Sequence, residues 1–276
     1  MSKEALMNKK VLYTLIGIAA AGTIGAVAIA GSSKKHEEID LSSHTQAVVK
    51  AETVPSTTPA PTKAPETMAA PETKAVESVQ ATLETYKEGK IEISYPVVSG
   101  LSDTAKQDEL NGKLKNNALA IIKAYDLESS DASMKIKCKV ITINRQEICV
   151  TYEGDCMLPE GAHPTNIFYT NTIDINSLED LGFTDFADPV FMAGYVMSND
   201  LKLKNGDTTQ LKAFKENRES LGQDYFTKYF KAADFPFTGE FPECFSYAKD
   251  GNIYFSLPVP HAAGDYVIAV YSTESK

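Results

Sequence analysis

Two histidines and an aspartate carry the chemistry this 276-residue chain most readily suggests: His163 in "PEGAHPTN", and His261 with Asp265 in "FSLPVPHAAGDY". An imidazole beside a carboxylate is the general-base half of a hydrolytic site. That use needs a nucleophile or a metal as well, and the sequence contains neither G-x-S-x-G nor H-E-x-x-H. The two imidazoles with Asp265 could instead converge on a metal ion. The third reading is structural: each His sits beside Pro or Gly in a corner between strands, its ring donating to nearby backbone carbonyls. Turn chemistry explains Pro260 and Gly264 directly, so the residues are read as a corner that borders a ligand surface. Glu160, His163, His261, Asp265 and Tyr266 are its candidate binding residues, and no catalytic residue, metal or cofactor is assigned.

Four cysteines, Cys138, Cys149, Cys156 and Cys244, are disulfide candidates if the chain is exported. In a tight hairpin turning at Arg145-Gln146, Cys138 falls opposite Glu153 and Cys149 opposite Thr142. That register separates the two by about 13 Å at roughly 3.3 Å per residue, beyond disulfide reach. Cys156 with Cys244 is no less plausible, and buried thiols are the remaining alternative. Zinc-type spacing such as C-x-x-C is missing.

The elements that must position these groups follow from periodicity. Ile91, Ile93 and Tyr95 alternate with polar residues as in a half-buried strand. Leu110, Leu114, Ala118, Ile121, Ile122 and Tyr125 then share one face of a helix that Ser102 or Asp103 caps. "MKIKCKVITINRQEICVTYEG" reads as a hairpin turning over residues 144–147, and "NIFYTNTIDI" as the next strand, together a meander rather than βαβ units. Asp188-Pro189 opens a helix. "TTQLKAFKENRESLG" and "DYFTKYFKAAD" make two more, with Phe226, Tyr229 and Phe230 facing the core. Asp250-Gly251 is a hairpin turn between late strands, and His261 and Asp265 lie between the last two. The fold class expected is α+β, with one or more antiparallel sheets packed against helices.

Ahead of this domain, assigned to residues 89–276, the chain has a different character. Residues 1–10 are short and basic, and residues 11–31 form an uncharged run able to span roughly 30 Å at about 1.5 Å per residue. This predicts a transmembrane anchor with a short cytoplasmic segment inside and the remainder outside. The alternative is a signal peptide cleaved after Ala30, where Ala28-Ile29-Ala30 fits the small-residue pattern. Residues 32–88, rich in Pro, Thr, Ala and Glu, read as a disordered linker. With 27 basic and 37 acidic residues the net charge is −10, which argues against a nucleic-acid partner and leaves a cationic one open.

In order and spacing, "ISYPVVSGLSDTAKQDELNGKLKNNA", "CVTYEG", "GAHPTNIFYTNTIDINSLEDLGFTDF" and "GNIYFSLPVPHAAGDYVIAVY" resemble a bacterial extracytoplasmic domain family. It is the RsiV-like module of anti-sigma-V factors, similar also to a non-catalytic module of some peptidoglycan deacetylases. The resemblance implies an outward-facing domain that binds lysozyme or a related ligand. Ten cytoplasmic residues cannot hold a sigma-factor-binding domain, so that role is not expected here. The T-F-D-D-G-type motif of the deacetylases does not occur either. The function expected is therefore a cell-envelope protein whose extracytoplasmic domain binds a wall-associated ligand, a lysozyme-like cationic protein or a cell-wall glycan, without catalysis. The alternative is a wall hydrolase or metal-dependent enzyme using His163, His261 and Asp265.

Overall fold

The computed structural model describes residues 78–128, 131–205 and 207–272. The expected cytoplasmic segment, anchor and most of the linker lie outside them. No helix among the described residues is long and apolar enough to cross a membrane.

The domain's regular structure starts ahead of residue 89. Gln80–Glu88 forms strand β1, paired along its whole length with β2 (Ile91–Ser99) through a two-residue turn. Both faces of β1 are largely solvated, so it lacks the apolar alternation that flags a strand. Helix α1 (Thr104–Ala124) follows, capped by the Asp103 carboxylate, which accepts the Lys106 N–H at 3.0 Å. Leu110, Leu114, Ala118, Ile121 and Ile122 are buried on its inner face as the periodicity predicts. The chain then enters β3 (Ser133–Ile143), β4 (Glu147–Met157), β5 (Thr165–Asp174) and the short β6 (Asp180–Leu181), completing a six-stranded sheet in sequential order.

One pairing departs from a pure meander. β2 and β3 run parallel over Ile91–Ile93 and Met134–Ile136, with α1 as the crossover. An α-helical connection returns the chain to the same end of the sheet, which is what a parallel neighbour requires.

The second half places α2 (Phe183–Phe186), α3 (Pro189–Met197) and α4 (Thr208–Lys231) against a smaller sheet. That sheet comprises β7 (Lys202–Leu203), β8 (Ser246–Lys249), β9 (Asn252–Pro258) and β10 (Tyr266–Ser272), in the order β7-β10-β9-β8. The two helices expected over 208–231 are one run broken at Gly222, whose φ of 77° is open to glycine and strained for other residues.

Neighbouring residues of β5 tie the layers together. The Tyr169 hydroxyl donates to the Ala118 carbonyl of α1 at 2.7 Å, while the Thr170 hydroxyl donates to the Ser246 carbonyl of β8 at 2.6 Å. Successive strand residues point to opposite faces, so β5 is buried on both. At the same junction Asp234, 3% exposed, accepts the Ser246 N–H and hydroxyl and the Phe183 N–H at 2.5–2.9 Å. Burial raises its carboxyl to about 7, against the pull of these donors.

The cysteines are all buried thiols, so the disulfide expectation gives way to the alternative. Cys149 does face Thr142, but Cys138 faces Tyr152 rather than Glu153, because a bulge between Val140 and Thr142 slips the register by one. Their separation of four positions along the strand keeps them apart. Cys156 belongs to the core under the larger sheet and Cys244 to the core under the smaller one. Burial lifts the Cys138 and Cys149 thiols to about 12. Beside them lie the buried Tyr152 and Thr172 hydroxyls, which act against the upward shift of the Cys138 and Cys149 thiols respectively.

Candidate functional site

The two histidines meet where the β4–β5 loop touches the corner between β9 and β10. Pro258 ends β9, and Pro260 leads into a single 3-10 turn, His261–Ala263. Gly264 (φ 104°) and Asp265 (φ 70°) then turn the chain back into β10. An aspartate at positive φ is strained relative to glycine, although Asp tolerates it better than most residues. Its side chain repays that strain. Asp265 Oδ1 lies 2.6 Å from His261 Nδ1, and Oδ2 accepts the Asn166 backbone N–H at 2.8 Å and its side-chain amide at 3.3 Å. Gln210 of α4 donates to the Ala263 carbonyl at 3.0 Å and braces the turn from the other side.

Asn166 stands three residues after His163, so the bonds that hold Asp265 also hold the His163 loop against the corner. The His163 and His261 rings lie 6.4 Å apart between centroids and are tilted by 32°. Both rings are exposed; the His261 side chain retains 50% of its accessibility and Asp265 only 15%. Asp265 is thus a fixed, mostly covered support, while half of the His261 side chain faces solvent.

Tyr266 packs its ring on Phe168 of β5 at 5.3 Å, fixing the corner to the larger sheet. Burial raises its hydroxyl to about 12, with Glu153 and Asp265 adding to the effect. Tyr125, at the C-terminal end of α1, is likewise raised to about 12, by burial first and then by Cys156, Asp265 and Glu243. Asp265 thus acts on both phenols, together with Glu153 at Tyr266 and Glu243 at Tyr125.

Of the residues singled out from sequence, His163, His261, Asp265 and Tyr266 come together here. Glu160 is exposed on the turn that Gly161 N–H closes onto the Leu158 carbonyl, and it takes no part in the hydrogen bonds of the corner. Asn166 and Gln210 belong to the site although their types and spacing do not announce it. Only the fold brings them to residues as far as 99 positions away.

Among the described residues, no three His, Cys, Asp or Glu side chains converge as a metal cage. The dyad of His261 and Asp265 can orient an imidazole, and the Cys thiols, buried and with raised pKa, are not nucleophiles that could serve it.

No protein-family model matches the chain. No curated protein sequence matches it either. Among solved structures it is similar to a DUF3298 family member from Bacteroides fragilis, with 15% identity and a TM-score of 0.42 over 72% of this chain and 92% of that one. A DUF3298 family protein from Pseudomonas aeruginosa is similar at 12% identity and a TM-score of 0.32, covering 69% of this chain and 94% of the other. The likeness to anti-sigma-V ectodomains rests on the sequence motifs alone, and the structural neighbours are members of a family of domains of unknown function.

Proposed function

We propose that the chain is a cell-envelope protein whose C-terminal domain binds a wall-associated ligand, without catalysis, at the corner of His163, His261, Asp265 and Tyr266. The observation that carries this reading is the Asn166–Asp265–His261 connection. It clamps two distant loops so that two exposed imidazoles stand side by side on a rigid support. Preorganised polar groups on a fixed scaffold favour recognition, because little side-chain freedom is lost on binding. The net charge of −10 and the carboxylates around Tyr125 and Tyr266 favour a cationic protein of the lysozyme kind over a neutral glycan. The resemblance to anti-sigma-V ectodomains supports the same class of partner. An N-terminal anchor with this domain outside, or a secreted form cleaved after Ala30, would deliver it to the wall.

The full-length chain, immobilised from detergent, is tested against lysozyme and against soluble peptidoglycan fragments. Retention of lysozyme that weakens as salt rises is the expected result. Retention of glycan alone would replace the partner class, and retention of neither would refute the reading. A second reading, a wall hydrolase, is favoured by the 2.6 Å His261–Asp265 contact, which is the base-and-orienter half of a catalytic triad. Wall-cleaving activity abolished by His261→Ala would establish it. Membrane fractionation with N-terminal sequencing separates anchor from cleaved signal; a mature start at Gly31 would exclude the anchor.

A further inference from the structure

We propose that His163 and His261 are paired ligands for one divalent transition-metal ion of the Zn²⁺, Ni²⁺ or Cu²⁺ class, with Asp265 as the positioning residue behind His261. Imidazole nitrogen suits these borderline cations, whereas Mg²⁺ and Ca²⁺ prefer oxygen ligands. The site uses the same corner as the proposed ligand surface, but it does not require a macromolecular partner.

Three features of the corner support this assignment independently. The first is distance. A ring nitrogen binds zinc at about 2.0–2.1 Å, which puts each ring centroid roughly 3 Å from the ion and two such rings about 5–6 Å apart. The observed 6.4 Å is within a small side-chain rotation of that range, and the exposed His163 ring can make it while His261 stays on Asp265.

The second feature is the support behind His261. A metal-bound histidine ordinarily donates its second ring N–H to a carboxylate, which fixes the tautomer and raises the basicity of the ligating nitrogen. Asp265 Oδ1 occupies that position at 2.6 Å from Nδ1, which leaves Nε2 as the nitrogen to bind the ion. Asp265 is itself held at Oδ2 by the backbone and side chain of Asn166. This two-tier arrangement exceeds what a turn needs, since the backbone bonds from Ala263 to Pro260 and from Gly264 to His261 already close it.

The third is charge. The Asp265 carboxylate stands at the corner itself, 2.6 Å from His261, and Glu153 acts on the adjoining Tyr266 in the same sense as Asp265, which favours a cation there. Because no third His, Cys, Asp or Glu joins the pair among the described residues, the remaining coordination positions are open to water or to a group from a bound partner.

The test uses the full-length chain stripped with chelator and titrated calorimetrically at neutral pH with Zn²⁺, Ni²⁺, Ca²⁺ and Mg²⁺. His36 and His44 are removed first as His36→Ala and His44→Ala, so that the N-terminal segment contributes no imidazole. One equivalent of Zn²⁺ or Ni²⁺ is expected, with no binding of Ca²⁺ or Mg²⁺. His163→Ala and His261→Ala should each weaken binding by at least tenfold, and Asp265→Asn by about 10–100-fold. Cu²⁺ bound to the chain should show hyperfine coupling to two nitrogens, falling to one in either His variant. An unaltered melting temperature in His163→Ala and His261→Ala would confirm that folding is intact. No saturable binding, or binding indifferent to either histidine, would overturn the proposal. Lysozyme retention is measured separately in chelator, so loss of the metal site leaves the ligand reading standing, and the converse holds too.

Discussion

Asp265 and Asn166, 99 residues apart in the chain, are joined by two hydrogen bonds to one carboxylate oxygen, from the Asn166 backbone N–H at 2.8 Å and from its side-chain amide at 3.3 Å. The other carboxylate oxygen engages His261. One side chain thus couples the β4–β5 loop to the β9–β10 corner.

Substitution at Asp265 should be graded by what replaces the carboxylate. Asn keeps one acceptor and tolerates the positive φ, so Asp265→Asn is expected to lower stability by only about 1 kcal/mol. Ala removes both acceptors and is less tolerant of that backbone, so Asp265→Ala should lose about 2 kcal/mol or more. Urea denaturation checks the order. Equal stability of the two variants would mean that the loop coupling contributes nothing.

Asp234 should make the protein more stable on mild acidification. Its carboxyl ionises near 3.8 when solvated and near 7 when folded. Below pH 4 both states carry the proton. Between about pH 4 and 7 only the folded state does, so stability falls as pH rises and levels off above 7. A shift of this size corresponds to about 4 kcal/mol. Thermal melts of wild type should fall between pH 5 and pH 7.5, and Asp234→Asn should flatten that slope even though it disturbs the donor network. A wild-type melting temperature that rises over the same interval by the same amount in both proteins would contradict this.

Much of the architecture was legible because burial writes a period into sequence. The α1 face, a cap at Ser102 or Asp103, the Asp188 cap and the Asp250-Gly251 turn could all be read from local residues, and the structure selects Asp103. Strand β1 could not, since Leu83, half exposed, and its charged neighbours carry no buried face; pairing with β2 alone makes it a strand. The β3 bulge was equally silent, and with it the true partner of Cys138. At the site, His163, His261 and Asp265 drew notice by type, but their convergence depends on Asn166, an ordinary residue at the start of β5 until the fold places it. Glu160 lies near His163 in the chain, but it stays exposed and makes none of the corner's hydrogen bonds.

Gly154 allows the close approach of β3 and β4. A Cβ there would lie 1.9 Å from the Lys135 carbonyl oxygen, an impossible contact with backbone that is itself paired. Gly154→Ala should cost roughly 3 kcal/mol or more. Chemical denaturation measures this directly, and a loss below about 1 kcal/mol would refute the packing described.

The thiols should be inert until the domain unfolds. Cys138, Cys149, Cys156 and Cys244 are buried, and burial raises Cys244 well above its ordinary value as it does Cys138 and Cys149. An aromatic disulfide reagent should label none of them in native protein and all four in denaturant. Two or fewer labelled thiols in unreduced, denatured protein would reveal a disulfide.

Ligand recognition at the corner is most directly tested by hydrogen-exchange mass spectrometry of the full-length chain, with and without lysozyme. Two segments, residues 158–166 and 259–266, should gain protection together in the complex, and neither should do so in a His163→Ala/His261→Ala variant. Protection confined to other surfaces, or unchanged by loss of both histidines, would contradict binding at this corner.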